Sequence, residues 1–151
     1  MNSVVLNGDC AEIMKSTSFA DAVSGRQVVI VTDPPFNVGY HYRGYKDKKP
    51  EDEYYKWLAE IFGEYPLVCV HYPEGLHRLS IELREAPEKV VSWVYNSNTA
   101  KQHRDIGYYR IKPDFNRVKQ PYKNPTDKRV QKLLESGRGG QGCTTGGTLT
   151  K

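Results

Sequence analysis

Asp33, Pro34, Pro35 and Phe36 place side by side a carboxylate, two residues without a backbone N–H, and a flat aromatic face. The carboxylate accepts hydrogen bonds, and the Pro34 carbonyl is a second acceptor on a stiffened backbone. The Phe36 ring is a stacking surface. Together these groups can grip an exocyclic amine on a planar ring. An ordinary proline-rich turn has the same composition, so the surrounding sequence has to decide between the two readings.

The residues just before are Val28-Val29-Ile30-Val31-Thr32, a β-branched run suited to a strand buried on both faces of a parallel sheet. Open α/β sheets bind ligands at the carboxyl ends of such strands, so Asp33 is expected at the rim of a crevice. Pro34 also restrains Asp33 toward extended geometry.

Two segments carry a family resemblance: Leu6-Asn7-Gly8-Asp9-Cys10 and, about twenty residues later, Val31-Thr32-Asp33-Pro34-Pro35-Phe36-Asn37-Val38-Gly39-Tyr40. They resemble the start of the DNA amino-methyltransferases that place their catalytic motif before their cofactor motif. That family methylates adenine N6 or cytosine N4 with S-adenosylmethionine, on a base flipped out of double-stranded DNA. The resemblance implies a catalytic motif of Asp33, Pro34, Pro35 and Phe36. In it Asp33 and the Pro34 carbonyl bind the amine, and Phe36 stacks on the base. It also implies that Asp9 lies beside the adenosine of the methyl donor. Asp at the first motif position favours adenine over cytosine, and Phe in place of the commoner Tyr keeps the stacking surface.

An aromatic amine is a poor nucleophile because its lone pair is delocalised into the ring. Two acceptors on its N–H groups push the nitrogen toward tetrahedral geometry and free that pair for in-line attack on the sulfonium methyl. Such chemistry asks for neither a metal nor a covalent intermediate. Cys10, Cys69 and Cys143 are scattered, and the four histidines show no ligand spacing.

With 151 residues, 38% of them hydrophobic, the chain has room for one domain with a modest core. No stretch reaches the roughly 18 apolar residues of a membrane span, and the N-terminus lacks signal-peptide regions, so a cytoplasmic location is expected. Three unpaired cysteines fit a reducing compartment. Residues 101 to 138 hold eleven Lys plus Arg against four Asp plus Glu, a net of +7, whereas the rest of the chain nets −3. Tyr108, Tyr109, Phe115 and Tyr122 interleave with this charge, a mixture that fits phosphates as well as a solvated basic face. Beside the family resemblance, DNA contact is the favoured reading. Lys112, Arg117, Lys119, Lys123, Lys128, Arg129 and Lys132 are then the candidate phosphate contacts, and Tyr40, Tyr42 and Tyr45 are candidates for stacking or for anchoring their loop.

The elements that must position these groups follow from pattern. Residues 3 to 7 read as a strand, and residues 9 to 14 open a helix capped by Asp9 that can extend to Val23. From Glu51 a helix aligns Tyr54, Trp57, Leu58, Ile61 and Phe62 on a core face. Residues 66 to 71 form a buried strand ending at His71, a structural histidine in this reading. Residues 76 to 85 are helical, residues 88 to 95 form a third strand, and residues 108 to 111 suit another. Thr126 and Asp127 open a helix reaching Leu134. The glycine-rich residues 137 to 151 are expected to be disordered.

The expected fold is α/β: a partial Rossmann-like methyltransferase sheet with helices on both faces and its C-terminal part missing. Residues 1–100 form its catalytic-motif part, residues 101–136 a basic target-recognition segment, and residues 137–151 a tail. The family's Asp-Pro-Phe-x-Gly-Ser-Gly cofactor loop is absent from the sequence. Residues 142 to 147 can be encoded by GGC TGT ACG ACT GGT GGN, which two bases later reads Leu-Tyr-Asp-Trp-Trp. A frameshift just before Gly142 is therefore expected, and sequencing the gene tests it. The functional expectation is an adenine-N6 DNA methyltransferase, truncated and weak or inactive alone. The alternatives are a non-catalytic DNA-binding remnant, or an unrelated α/β domain with a chance Asp-Pro-Pro-Phe. Exposed sheet edges would favour self-association.

Overall fold

The computed structural model describes residues 3–94, 103–114 and 126–136. It divides into two units, Met1–Lys112 and Pro113–Lys151.

The first unit is organised around α3 (Glu51–Phe62). Glu51, Asp52 and Glu53 occupy its first turn, where negative charge complements the exposed N–H groups, and Gly63 at φ 50° ends it. Tyr54, Leu58 and Phe62 recur every four residues and are buried, joined by Tyr55. They meet Leu67 and Cys69 of β4 (Leu67–His71), Leu76 and Leu79 of α4 (Pro73–Leu83), and Tyr109 of β6 (His103–Tyr109) in one core. Each fully buried leucine there contributes roughly 2 kcal/mol. Pro73 starts α4 at a position that needs no N–H partner, and Arg84 in the left-handed region ends it.

The sheet has four strands in the order β1-β4-β6-β5, with β1 at Ile30–Thr32 and β5 at Lys89–Val94. β1 and β4 are parallel, with Ile30 opposite Leu67 and Thr32 opposite Cys69, and α3 lies between them in sequence. β6 is antiparallel to both neighbours, pairing Leu67 with Tyr109 on one side and Val91 with Ile106 on the other. The fold is thus α/β, but the sheet is mixed and not parallel throughout.

Several expectations change. The apolar runs suggested a sheet covered on both faces. Yet α3 and α4 both pack on the face of Leu67, Cys69 and Tyr109. The register puts Val31, Val68, Val70, Ile106, Val91 and Trp93 on the opposite face, where Val31 is 75% and Trp93 51% exposed. Residues 3–7 pair with no strand among the described residues, and Val5 is 91% exposed. The strand expected over residues 28–32 narrows to Ile30–Thr32.

The first helical region is two helices, α1 (Cys10–Ile13) and α2 (Thr17–Val23). Ser16 interrupts it because its hydroxyl accepts from the Phe19 N–H and caps the second helix. β6 begins five residues before the expected strand, so His103–Tyr109, which the charge pattern groups with the basic segment, is a sheet strand. Tyr109 is fully buried and cannot pack on sugars or bases.

In the second unit, α5 spans Lys128–Glu135. The Asp127 carboxylate accepts from the Arg129 N–H at 2.8 Å, and this bond holds its pKa below the ordinary carboxylate value. Among the described residues no helix is long and apolar enough to cross a membrane.

Candidate functional site

β1 delivers the chain into Asp33 at the carboxyl end of the parallel pair, and the two prolines carry it across the end of β4. The turn is held from below. The Tyr54 hydroxyl, rising from the first turns of α3, donates to the Pro35 carbonyl. The same oxygen lies 3.3 Å from His71 Nε2. His71 Nδ1 accepts the Tyr72 N–H at 2.9 Å, so a neutral ring carries its proton on Nε2 and directs it at Tyr54. His71, Tyr54 and the Pro35 carbonyl thus form a hydrogen-bonded chain beneath the motif.

Desolvation pushes the Tyr54 phenol far above its ordinary pKa, so it keeps its proton and remains a donor. His71 is buried, and a Cβ on Gly75 would lie 1.9 Å from its Nδ1; glycine at that point of α4 makes room for the ring. His71 is a hydrogen-bonded structural histidine, as expected.

A second support comes from the loop that follows. Asp47 is 2% exposed, and its carboxylate accepts N–H groups from Asn37 at 2.8 Å, Val38 at 3.2 Å and Tyr40 at 3.0 Å. Asn37 stands in the left-handed region at φ 59°, a conformation Asn tolerates better than most residues. Its side-chain amide both donates to and accepts from the Lys49 backbone, at 2.9 and 2.6 Å. Residues 37–49 are therefore clipped at their base, with a two-stranded hairpin at the tip: β2 (His41–Tyr42) and β3 (Tyr45–Lys46). Tyr40 and Tyr42 stack at 4.9 Å and Tyr42 meets Tyr45 at 6.0 Å, so these three rings anchor one another; Tyr40 stays 65% exposed.

Above this frame lie the groups that can meet a ligand. The Phe36 ring has His71 and Tyr72 at centroid distances of 4.9 Å each. The Arg104 guanidinium, from the start of β6, stands 4.6 Å from the Phe36 ring centre. Arg104 Nη1 is 3.8 Å from an Asp33 carboxylate oxygen. The Asp33 side chain is about half exposed. Pro34 is buried, and among the described residues no hydrogen bond reaches its carbonyl, whereas that of Pro35 is taken. Desolvation raises the Cys69 thiol to about 12, with the Asp33 carboxylate adding to the shift.

The structure thus brings Asp33, Pro34, Pro35 and Phe36 together and adds Tyr54, His71, Tyr72, Arg104, Asn37 and Asp47 around them. Arg104 carries no local sequence signal. It reaches the site because β6 runs antiparallel to β4, so its first residues meet the carboxyl ends of β1 and β4. Asp9, expected beside a methyl donor, accepts the Ala11 N–H at 2.8 Å and caps α1. Lys112 is exposed and 3.7 Å from Glu88, and Arg129 is exposed and 3.6 Å from Asp127. Lys128 and Lys132 are exposed on α5; Arg117, Lys119, Lys123 and Tyr122 lie outside the described residues.

No protein-family model, curated protein or solved structure matches the chain.

Proposed function

We propose that this chain carries the base-gripping site of an adenine-N6 DNA methyltransferase. One observation carries the reading: a planar group bearing N–H donors, the Arg104 guanidinium, stands over the Phe36 ring with a donor nitrogen toward the Asp33 carboxylate. A flipped adenine would ask for a ring to stack on and an acceptor close by for its amine, and Phe36 and Asp33 stand where one planar cation lies near both. The Pro34 carbonyl supplies the second acceptor. The hydrogen-bonded frame beneath fixes both acceptors before a base arrives, which is where positioning contributes to amine activation. The β1-α3-β4 unit, with its site at the carboxyl ends of parallel strands, agrees with a Rossmann-like sheet. Lys112, Lys128, Arg129 and Lys132 are the described candidates for phosphate contact with double-stranded DNA.

S-adenosylmethionine is the methyl source that this reading requires. Asp9, its candidate contact, has one carboxylate oxygen engaged in capping α1. This favours a second reading, in which the chain binds DNA and accepts a base without transferring a methyl group.

Labelled S-adenosylmethionine with unmethylated DNA tests the first reading. Asp33→Ala is expected to abolish incorporation while leaving salt-sensitive DNA binding intact, and incorporation retained by that variant would exclude Asp33 from the reaction. Calorimetry that detects no heat with S-adenosylmethionine, alongside DNA binding that weakens with salt, selects the second.

A further inference from the structure

The hairpin that follows the motif presents rings and cations together. Tyr42 stands directly opposite Tyr45, and Tyr40 lies two residues before Tyr42, so the three rings share one face. Their mutual contacts leave Tyr40 65% and Tyr42 40% exposed. Arg43 at the turn, and Lys46 and Lys48 on the returning side, are exposed, and among the described residues none of the three has an ion pair. Asp47, the one acid in residues 39–48, is buried and bonded to backbone N–H groups. Tyr40, Tyr42, Tyr45, Lys46 and Lys48 all line one open cleft of about 570 Å³. We propose that this hairpin binds an unpaired strand of DNA, with bases against Tyr40 and Tyr42 and phosphates against Arg43, Lys46 and Lys48. The choice of DNA rests on the base-gripping reading above; the surface itself is separate from Asp33 and Phe36.

The rings are what select an unpaired strand. Cations attract the phosphates of any nucleic acid, but a tyrosine stacks on a base only where the base face is open, and in a duplex the neighbouring bases cover it. The hairpin is also set before a strand arrives. Asp47 and Asn37 clip its base, and Gly44 at φ 90° closes its two-residue turn, so little ordering is left to oppose binding. Tyr40 is four residues from Phe36, a span of at most about 14 Å along the chain. A base drawn out of its stack toward Phe36 uncovers a face of each neighbour in the strand, and those are the faces the hairpin would take.

Fluorescence anisotropy with the full 151-residue chain and a labelled oligothymidine of about twelve nucleotides tests this. Thymine has no exocyclic amine, so the probe does not call on the acceptors of Asp33 and Pro34. The chain is expected to bind oligothymidine more tightly than a duplex or an abasic strand of the same length. Tyr40→Leu should weaken that binding roughly tenfold, and Tyr40→Phe, which keeps the ring, should retain it. Equal affinity for oligothymidine and the abasic strand, or a preference for duplex, overturns the proposal. Oligouridine bound more tightly than oligothymidine makes RNA the partner and overturns it as well.

Salt dependence reads the cations. Each phosphate contact to a single strand adds about 0.7 to the slope of log affinity against log salt. Arg43→Gln, Lys46→Gln and Lys48→Gln together should therefore flatten that slope by about 2. An unchanged slope overturns the hairpin as the phosphate-binding surface. Methyl incorporation into DNA by a chain that ignores oligothymidine overturns the hairpin surface and leaves the base-gripping reading standing. Oligothymidine binding without incorporation keeps the hairpin and counts against methyl transfer alone.

Discussion

At the scale of single residues, the candidate site is a set of polar and aromatic groups resting on one phenol. The Tyr54 hydroxyl donates to the Pro35 carbonyl and receives His71, so it joins the Asp33–Phe36 loop to the end of β4 in one step. Tyr54→Phe keeps the ring in the core but leaves a carbonyl and an imidazole N–H without their partner. Stability should fall by about 1–3 kcal/mol, read as a lower urea midpoint, and an unchanged midpoint would remove Tyr54 from this role. The sequence showed Tyr54 as a core residue at helical spacing, which it is. Its second task was hidden because a hydrogen bond across nineteen residues leaves no periodicity. Asp33, Pro34, Pro35 and Phe36 were legible as a local arrangement of acceptors and a ring. Arg104 was not, since its distance from them in sequence is closed only by the antiparallel register of β6 against β4.

At the scale of elements, the loop of residues 37–49 shows how a polar, tyrosine-rich segment takes a definite form without a core of its own. The sequence offered its tyrosines as stacking groups or as anchors of their loop. Asp47 instead gathers three backbone N–H groups at its base, and Asn37 closes the other side with a two-way bond to Lys49. Asp47→Ala removes the acceptor for all three. Trypsin should then cut faster at Arg43, Lys46 and Lys48, and the chain should lose about 2 kcal/mol or more of stability. Cleavage at the parental rate would mean that the tip hairpin, not Asp47, holds the loop. The acids of its first turn place the start of α3 at Glu51 as expected, whereas α4 begins at Pro73, three residues before the expected helix over residues 76–85. β1 was read too long because five β-branched residues look alike in sequence, although only Ile30–Thr32 have a paired neighbour.

At the scale of the whole molecule, the core is rich in groups that resist ionisation. Cys69 is fully buried, and its thiol is raised from an ordinary value of 9.0 to about 12; the Tyr55 phenol is likewise pushed up to about 12 by burial. A raised folded pKa stabilises the protein while the group is protonated in both states. That contribution is complete below the unfolded value and is lost as pH rises toward the folded one. Unfolding free energy should therefore be level in these groups up to about pH 9. Above that, Cys69 should lower it by about 1.4 kcal/mol per pH unit until about pH 12. Urea titrations between pH 8 and 11 measure this slope. Cys69→Ala should remove the thiol's share, and an identical slope in that variant would assign the loss to other groups.

The two-sided cover implied by the apolar strands was the largest misreading. Val31, Val91 and Trp93 satisfy the pattern of a buried sheet, but pattern alone does not say whether a second layer is present. The placement of β6 has a kinetic consequence as well. Arg104 is paired with Trp93, and its neighbour Asp105 is paired with both His71 and Ser92, so the backbone beneath the guanidinium is tied from either side. Movement of the Arg104 guanidinium is then a rotamer change of one long side chain on a fixed strand, faster than any motion of the sheet.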